Sequence, residues 1–524
     1  MSRKTFARIL FGMLVAVPLF FSGCMVGPDY HQPSTPTSAA NYKELKQWQP
    51  AQPNDAQIRG TWWEVYNDPE LNRLEEQVNI SNQNVIQAEA QFREAAAAVK
   101  VARAGLFPTI TANPSFTESR SSLDLSSSGG HSGSGGSGSS PRPTTESLYD
   151  LPVEASYMVD VWGSVRRGIQ ANAATAQASF ANLENARLSY QATLAQDYFS
   201  LRGLDAEAAL LGTTVNLYQK YLDLTTNQYK SGIASQGDVA LAQTQLETTR
   251  AQLIDLGVQR AQYEHAIAVL TGVSASLFSI DRNPLTGVPP HIPVGVPSTL
   301  LQRRPDIANA ERQVASANAS IGVAVAAYYP SLTLTGSTGV ESIHFSDLFT
   351  GPSFFWSVGP AIAQTIFDAG RIHGQVQEAQ ANYESLVAAY RQTVLTAFQQ
   401  VEDDLAGLRI LEQEAAAQDT AVKAAQQSLD IATNEYKAGT VSYLTVITTQ
   451  TTALNDEVTQ VTIRMKRMTT SVLLIEALGG GWDASRLASN HDVSDVPQAQ
   501  AAIDKGKTPQ KPTPRNAALP NTTP

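Results

Sequence analysis

Apolar residues recur along this chain at two spacings, and each predicts its own kind of element. From Val401 the stripe Leu405, Leu408, Leu411, Ala415, Gln418, Val422, Ala425, Leu429, Ala432, Tyr436 takes ten steps to cover 35 residues, a mean of 3.5. That is the period of left-handed coiled coils. The stripe recurs 207 residues earlier, as Leu194, Tyr198, Leu201, Leu204, Ala208, Leu211, Val215, Tyr218, Leu222, Thr225, Tyr229. Helices over Gly163–Tyr229 and Gly370–Tyr436 would each run about 100 Å at about 1.5 Å per residue. Each is followed by a glycine-containing turn, YKSGIASQGD or YKAGTVSYLT, and by a second helix ending near Gly272 or Gly479. The pattern therefore predicts two long antiparallel helical hairpins. A plain soluble coiled coil would explain the stripes equally well.

The second spacing is two. Tyr149, Leu151, Val153, Ala155, Tyr157 and Val159 alternate with Asp150, Pro152, Glu154, Ser156, Met158 and Asp160. Later, Trp356, Val358, Pro360, Ile362 and Ile366 alternate with Ser357, Gly359, Ala361, Ala363 and Thr365, Gln364 interrupting the apolar face. One face suits lipid and the other water, as in a membrane strand. Pro152 and Pro360 weaken the pattern locally. Partner strands are predicted at Thr109–Glu118 and Ser331–Val340. Open sheet edges are not tolerated in lipid, and the smallest natural barrels have about eight strands. Four strands per chain therefore demand an oligomer of unstated size.

The chain is one unit written twice. LDLTTNQYKSG at Leu222–Gly232 matches LDIATNEYKAG at Leu429–Gly439, and the 207-residue offset runs without a gap from Gly163/Gly370 to Gly272/Gly479. Upstream, Ala88–Pro108 matches Ala310–Pro330 at an offset of 222. The difference is the fifteen-residue insert Ser126–Ser140, SSSGGHSGSGGSGSS, present only in the first copy and flexible by composition. The expected organisation is a signal peptide at 1–23 and an anchored N-terminal segment at 24–66. The first repeat follows at 67–280, with strands near 107–118 and 146–160 and a hairpin at 163–272. A Pro-rich linker spans 281–303 (Pro284, Pro289, Pro290, Pro293, Pro297). The second repeat covers 304–482, with strands near 330–341 and 353–367 and a hairpin at 370–479, and 483–524 reads as a disordered tail.

Arg3, Lys4 and Arg8 precede the apolar run Ile9–Phe21, which Pro18 breaks and which is too short to span a bilayer. It ends Phe21-Ser22-Gly23-Cys24, with the only cysteine in the chain. A lone cysteine makes no internal disulfide. The segment reads as a lipobox with Cys24 acylated after cleavage, although Phe21 stands where such motifs carry an aliphatic residue. Met25 rather than Asp follows, which under the Asp sorting rule implies release to the outer membrane. Cleavage removes three basic residues and no acid, moving the net charge from -11 to -14, a poor match for nucleic acid.

No catalytic or metal constellation is expected. The seven histidines are scattered, and no nucleophile elbow, phosphate loop or paired cysteine is present. Glu402, Asp403 and Asp404 read as a solvated or pore-facing helix surface. In Arg303-Arg304-Pro305-Asp306, proline suits a first helical turn and aspartate its positive end, so the run reads as structural.

Several motifs then stand together in order: Cys24-Met25-Val26-Gly27-Pro28-Asp29-Tyr30 with Pro33; Trp62-Trp63 with Asp68-Pro69-Glu70-Leu71; VPSTLLQRRPDIANAERQVASANASIGVAVAAYYPSLTLTG from Val296 to Gly336; Phe367-Asp368-Ala369-Gly370-Arg371; and Leu478-Gly479-Gly480-Gly481-Trp482. They resemble the outer membrane factor family of TolC-like efflux proteins, and within it the NodT-type efflux lipoproteins of resistance-nodulation-division pumps. The resemblance implies an α+β membrane protein without cofactor: a homotrimeric, twelve-stranded outer-membrane β-barrel, four strands per chain, continued by a long α-helical coiled-coil barrel in the periplasm. It implies a passive duct for small molecules, working with a periplasmic adaptor (membrane fusion protein) and an inner-membrane resistance-nodulation-division transporter. Tyr229, Lys230, Ser231, Gly232, Lys437, Ala438, Gly439 and Tyr443 would form adaptor-docking tips. Leu444, Thr445 and Thr448 would form a periplasmic gate, with Tyr436 and Asp238 tying neighbouring helices and Val441 replacing an arginine that assists them. Acids often stand at the positions of Thr445 and Thr448, so the resemblance implies an uncharged ring here. Two readings compete: the outlet of a type I protein-secretion system, and a structural envelope lipoprotein. The second would not explain the alternating strands.

Overall fold

The computed structural model describes residues 25–37, 42–45, 60–120, 122, 145–292, 301–489 and 493. Cys24, the signal segment, the Ser126–Ser140 insert, Pro293, Pro297 and the chain beyond 493 lie outside the described residues.

The helices are α1 (Pro69–Ser81), α2 (Gln83–Ala104), α3 (Ser164–Lys230), α4 (Gln236–Leu270), α5 (Pro305–Ala326), α6 (Arg371–Lys437) and α7 (Tyr443–Ala477). The strands are β1 (Thr109–Ala112), β2 (Ser115–Arg120), β3 (Thr145–Val159), β4 (Ser331–Ser342) and β5 (Phe354–Ala363). The duplication survives to the residue. α3 and α6 have 67 residues each, α4 and α7 have 35, and α2 and α5 have 22. Paired glycines with left-handed φ stand at the corresponding junctions: Gly163 and Gly370, Gly232 and Gly439, Gly272 and Gly479. At the last pair space demands glycine as well. A Cβ on Gly272 would lie 2.3 Å from the Ser81 carbonyl oxygen, and one on Gly479 would lie 1.9 Å from that of Arg303.

Residues cluster into two compact units, and neither is one copy of the repeat. The boundary expected at the Pro-rich linker is therefore a boundary of sequence duplication and not of packing. Elements of both copies bury their apolar faces against each other within each unit.

The first unit takes in Met1–His31, Ala98–Ala173 and Ala315–Ser385. Its sheet is antiparallel in the order β1/β2, β3, β4, β5, so β3 of the first copy pairs with β4 of the second, from Tyr149↔Ser342 to Val159↔Leu332. The single strand expected near 107–118 is two, broken at Asn113-Pro114. That break faces Leu151-Pro152, because β1 pairs with residues 153–156 and β2 with residues 145–150. On the other side Pro152 pairs with Gly339, where a Cβ would fall 2.4 Å from the Leu151 carbonyl oxygen. A proline thus sits inside a central strand because one neighbour is interrupted and the other is glycine. Pro360 lies in β5, an edge strand, where proline is tolerated. The strand expected near 353–367 ends at Ala363, so Ile366 is not on its apolar face; Gln364 has left the ladder and donates to the Tyr328 carbonyl at 3.3 Å.

The second unit takes in Gln32–Ala97, Ala174–Val314 and Leu386–Pro524. Trp62 and Trp63 are buried in it, packed edge to face, so they belong to this core rather than to a loose anchor segment. Asp68 caps α1, accepting from the Glu70 and Leu71 amides, and its other oxygen accepts from Tyr198 at 2.7 Å. Asn82 and Arg304 stand at matching positions of the two copies. Asn82 donates to the Leu270 carbonyl at 2.8 Å and Arg304 to that of Ala477 at 3.0 Å, each closing the end of its copy's second hairpin helix. Arg304 also pairs with Asp306 at 2.6 Å, so the Arg-Arg-Pro-Asp run is a helix junction, with Pro305 as the first residue of α5. The tail boundary expected at 482 falls too early. Asp483 caps a short 3-10 turn, and Leu487 and Ala484 pack against Trp482, which buries apolar surface a disordered tail would leave in water.

Candidate functional site

Register sorts the sheet's side chains into two faces. One carries Ile110, Phe116, Tyr149, Leu151, Val153, Leu332, Leu334, Val340, Phe354, Trp356, Val358 and Ile362. The other carries Thr111, Thr117, Glu154, Ser156, Thr333, Thr335, Ser337, Ser357 and Gly359, with Leu148, Pro152, Met158 and Phe355 its larger apolar members. Ser337 and Ser357 are hydrogen-bonded across the second face at 2.8 Å. On the first, Trp356 is 71% exposed and Val358 79%, values that in water would be a liability. The outer edges of β1/β2 and of β5 pair with no other strand among the described residues. No helix among them is long and apolar enough to cross a membrane. Such a sheet fits lipid on one side and water on the other, and needs partners at both edges.

The two hairpin turns lie in the second unit. At the first, Tyr229, Lys230, Ser231 and Gly232 are exposed, and Ile233 is the most exposed large apolar residue nearby. At the second, Lys437, Ala438 and Gly439 are exposed, but Tyr443 is not: it is 4% exposed and packs against Tyr436 at 5.4 Å. As the first residue of α7 it is drawn into a cluster with Ala242 and Val446, which corrects its expected place on a docking surface. Burial pushes its hydroxyl up to about 12, so it stays neutral.

Leu444 is exposed, as are Thr445 and Thr448. Tyr436 does not bond Asp238. Its hydroxyl donates to Oε1 of Gln228 at 2.6 Å, joining α6 to α3. Asp238 is used elsewhere: its carboxylate accepts from the Ser235 amide and hydroxyl, while Ser235 Oγ accepts from the Asp238 amide. This capping box fixes the start of α4 and competes with the expected pair. The bond expected between Tyr436 and Asp238 is thus replaced by one between Tyr436 and Gln228. Gln228, one residue before the Tyr229 tip, lay in the repeated segment LDLTTNQYKSG, but an amide there carries no pattern that separates it from surface.

The three acids at Glu402–Asp404 have separate fates. Glu402 accepts from the Lys43 and Glu44 amides, at 2.7 and 3.1 Å, and so holds part of the N-terminal segment. Asp403 is exposed. Asp404 lines a cavity of ≈ 460 Å³ with Arg304, Asp306, Asp403 and Glu476. Burial, then Asp403 and Glu476, push Asp404 up to about 7 against the pull of Arg304. No cluster that could hold a metal ion occurs among the described residues.

Comparison with known proteins decides among these readings. The sequence model of "Outer membrane efflux protein" matches residues 74–273 and 296–480, most of the chain and both copies of the repeat. This chain belongs to the outer membrane efflux protein family. It is 30% identical over 487 residues to the probable efflux pump outer membrane protein TtgC of Pseudomonas putida, covering 92% of this chain and 97% of that protein. It is 28% identical over 496 residues to Nodulation protein T of Rhizobium leguminosarum, covering 94% and 98%. Among solved structures the outer-membrane channel OprN superposes with a TM-score of 0.78 at 27% identity, covering 88% of this chain and all of that one. Membership of the outer membrane efflux family accounts for the two-faced sheet, the open edges and the paired hairpins together, and the fold is that of its α+β channels.

Proposed function

We propose that this protein is the outer-membrane duct of a tripartite pump that exports small molecules, working as a lipid-anchored homotrimer with a periplasmic adaptor and an inner-membrane transporter. The observation that carries this reading is the sheet with one apolar face, one polar face and two unpaired edges. Three copies supply twelve strands, and pairing β5 of each with β1/β2 of the next leaves no edge in lipid. The relatives' names support export of small compounds, since one of them is a toluene efflux pump outer membrane protein of Pseudomonas putida. Purified trimers in a planar bilayer are expected to conduct. A protein that inserts and never conducts is a tether, and the reading fails.

Within this reading the exposed turns at Gly232 and Gly439 dock the adaptor, and Leu444, Thr445 and Thr448 form an uncharged periplasmic constriction. A ring of carboxylates in a poorly screened passage would attract trivalent cations strongly, whereas threonine offers only dipoles. The closed channel is therefore expected to resist trivalent-cation block, and Thr448→Asp to create it. Bulky substitutions at Ser231 or Ala438 are expected to abolish drug resistance while trimers still form.

A further inference from the structure

A second cavity, of ≈ 920 Å³, lies wholly within the first unit. It opens where the sheet gives way to helices. Met158, Ser331 and Ala363 reach it from the polar face of the sheet, α5 adds Val323, Ala324 and Ala327, and α3 and α6 present their N-terminal turns to it. Sites for small molecules enclose roughly 300–1,000 Å³. Duplication places unlike residues at matched positions here. Ser164 corresponds to Arg371 and Gly168 to Gln375, and all four line the cavity. The first copy thus supplies space and the second supplies hydrogen-bond donors. Packing does not demand the space, since a Cβ on Gly168 would meet no atom within 4 Å. Gly322 of α5 is the contrast. A Cβ there would lie 2.9 Å from the side chain of Arg167, the N-terminal clamp, which donates to the Val26 carbonyl at 3.1 Å and the Gly27 carbonyl at 3.2 Å. Neither Arg167 nor Gly322 lines the cavity. Glycine inside a helix is unfavourable, so Gly322 has its reason in the fold and Gly168 has its reason in the open volume beside it.

The charge this cavity offers is positive. Its lining carboxylate, Asp160, is already occupied: it accepts from the Val165 and Arg166 amides at 2.9 and 3.0 Å and from the Arg166 guanidinium at 3.1 Å. Its lining cation is Arg371, whose side chain makes one hydrogen bond among the described residues, to Gln375 Oε1 at 3.4 Å. That bond leaves the Gln375 amide nitrogen as a second donor. Asp368, next to Arg371 in the chain's turn, is committed to the Gly370 and Ile372 amides at 3.0 and 2.9 Å. Trp162 and Tyr329 also line the cavity, stacked at 4.6 Å, and the indole N–H is taken by the Pro330 carbonyl at 2.8 Å, so the pair offers ring surface. An occupant therefore needs a flat apolar body and one anionic group. We propose that this cavity binds aromatic monoanions, aryl sulfonates or aryl carboxylates, with the ring against Trp162, Tyr329 and Val323 and the anion on Arg371 and Gln375. The proposal rests on the duct reading for access: there the polar face of the sheet looks onto the aqueous passage, and the site meets exported solutes rather than lipid.

The test uses full-length trimers in phosphatidylcholine nanodiscs, with empty discs as the blank. Equilibrium dialysis measures binding of naphthalene-2-sulfonate and of its neutral analogue naphthalene-2-sulfonamide. Saturable binding is expected, with the sulfonate tighter than the sulfonamide by about tenfold. Arg371→Gln is expected to weaken the sulfonate by about tenfold and the sulfonamide by less than about twofold. Gly168→Leu fills the cavity without meeting a neighbour, and is expected to weaken both ligands by about tenfold or more. No saturable binding, or sulfonate affinity unchanged in both variants, overturns the proposal. Adding phosphatidylglycerol to the discs is expected to leave sulfonate binding unchanged; displacement by this lipid would mean that the cavity holds headgroups, and the assignment to solutes is overturned. Conductance of the same trimers keeps the two readings apart. A protein that conducts without binding the sulfonate loses the site alone, whereas one that binds it without conducting keeps the site and loses the duct.

Discussion

The two hairpins match in length to the residue and differ where their second helices begin. In the first, Ser235 and Asp238 close a capping box at the start of α4. In the second, Ser442 makes no such bond to the backbone, and Thr445 stands at the place corresponding to Asp238. Threonine at the third helical position cannot return the bond that aspartate does, so α7 starts with fewer constraints than α4. The copies therefore diverged at one turn from equal scaffolds. One is pinned, and the other is held by Tyr443 packing and the Tyr436–Gln228 bond. Within the proposed function, the looser hairpin is the one suited to move.

The largest expected effect lies at the opposite ends of the hairpins. Gly479→Ala must displace the Arg303 backbone and strain a left-handed residue, so a loss of about 3 kcal/mol or more is expected in urea unfolding. Gly439→Ala meets no neighbour and should cost about 1 kcal/mol. Equal costs would show that the turns are as tightly packed as the bases.

Next comes Asp404. A carboxyl raised from 3.8 to about 7 on folding holds its proton more tightly folded than unfolded. Its contribution to stability is greatest in acid and falls as pH climbs from about 4 through about 7. Asp404→Asn is expected to flatten this dependence and to stabilise the protein above pH 7 by about 2 kcal/mol, after discounting for solvent screening. Melting curves at pH 5 and pH 8 would check it. An unchanged difference between the two pH values would mean that Glu476 carries the titration.

The caps come third. Asp238→Ala should cost about 1 kcal/mol, and Thr445→Asp should restore about as much to α7 by completing a box with Ser442. Hydrogen exchange at the first turn of each helix would read both changes. No gain in protection from Thr445→Asp would dissolve the comparison between the hairpins. The smallest effect is expected for Gln228→Leu, which removes one neutral, partly exposed bond worth about 0.5 kcal/mol. Resting conductance should rise modestly, and Asp238→Ala should raise it no more than Gln228→Leu does.

The helical plan was legible because duplication supplied its own control: a stripe, an offset and three glycine pairs agree at 207 residues, and the helix ends follow them. The strands were legible from alternation alone, except where Pro114 and Gln364 interrupt the ladder. The N-terminal clamp was not, because Arg167 is recognised by backbone carbonyls and these leave no trace in side-chain pattern. The one available signal was Gly322 in the middle of a helix, a costly residue there without a close neighbour to accommodate. The tail was misread because its composition is polar, while a few apolar contacts around Trp482 decide its first turn.

The threonines of α7 have a further consequence. Thr448, Thr449, Thr452, Thr459 and Thr462 each donate their hydroxyl hydrogen to a carbonyl three or four residues earlier in the same helix. Their protons are committed inward, so their exposed surface consists of methyl groups and weak acceptors. Within the proposed function, a solute passing these threonines meets methyl groups and weak acceptors in place of free hydroxyl donors. It finds no deep well in which to pause and no steep barrier that depends on its own chemistry. If these threonines line the proposed duct, transit past them resembles diffusion in a smooth-walled capillary, and discrimination falls to whatever loads it.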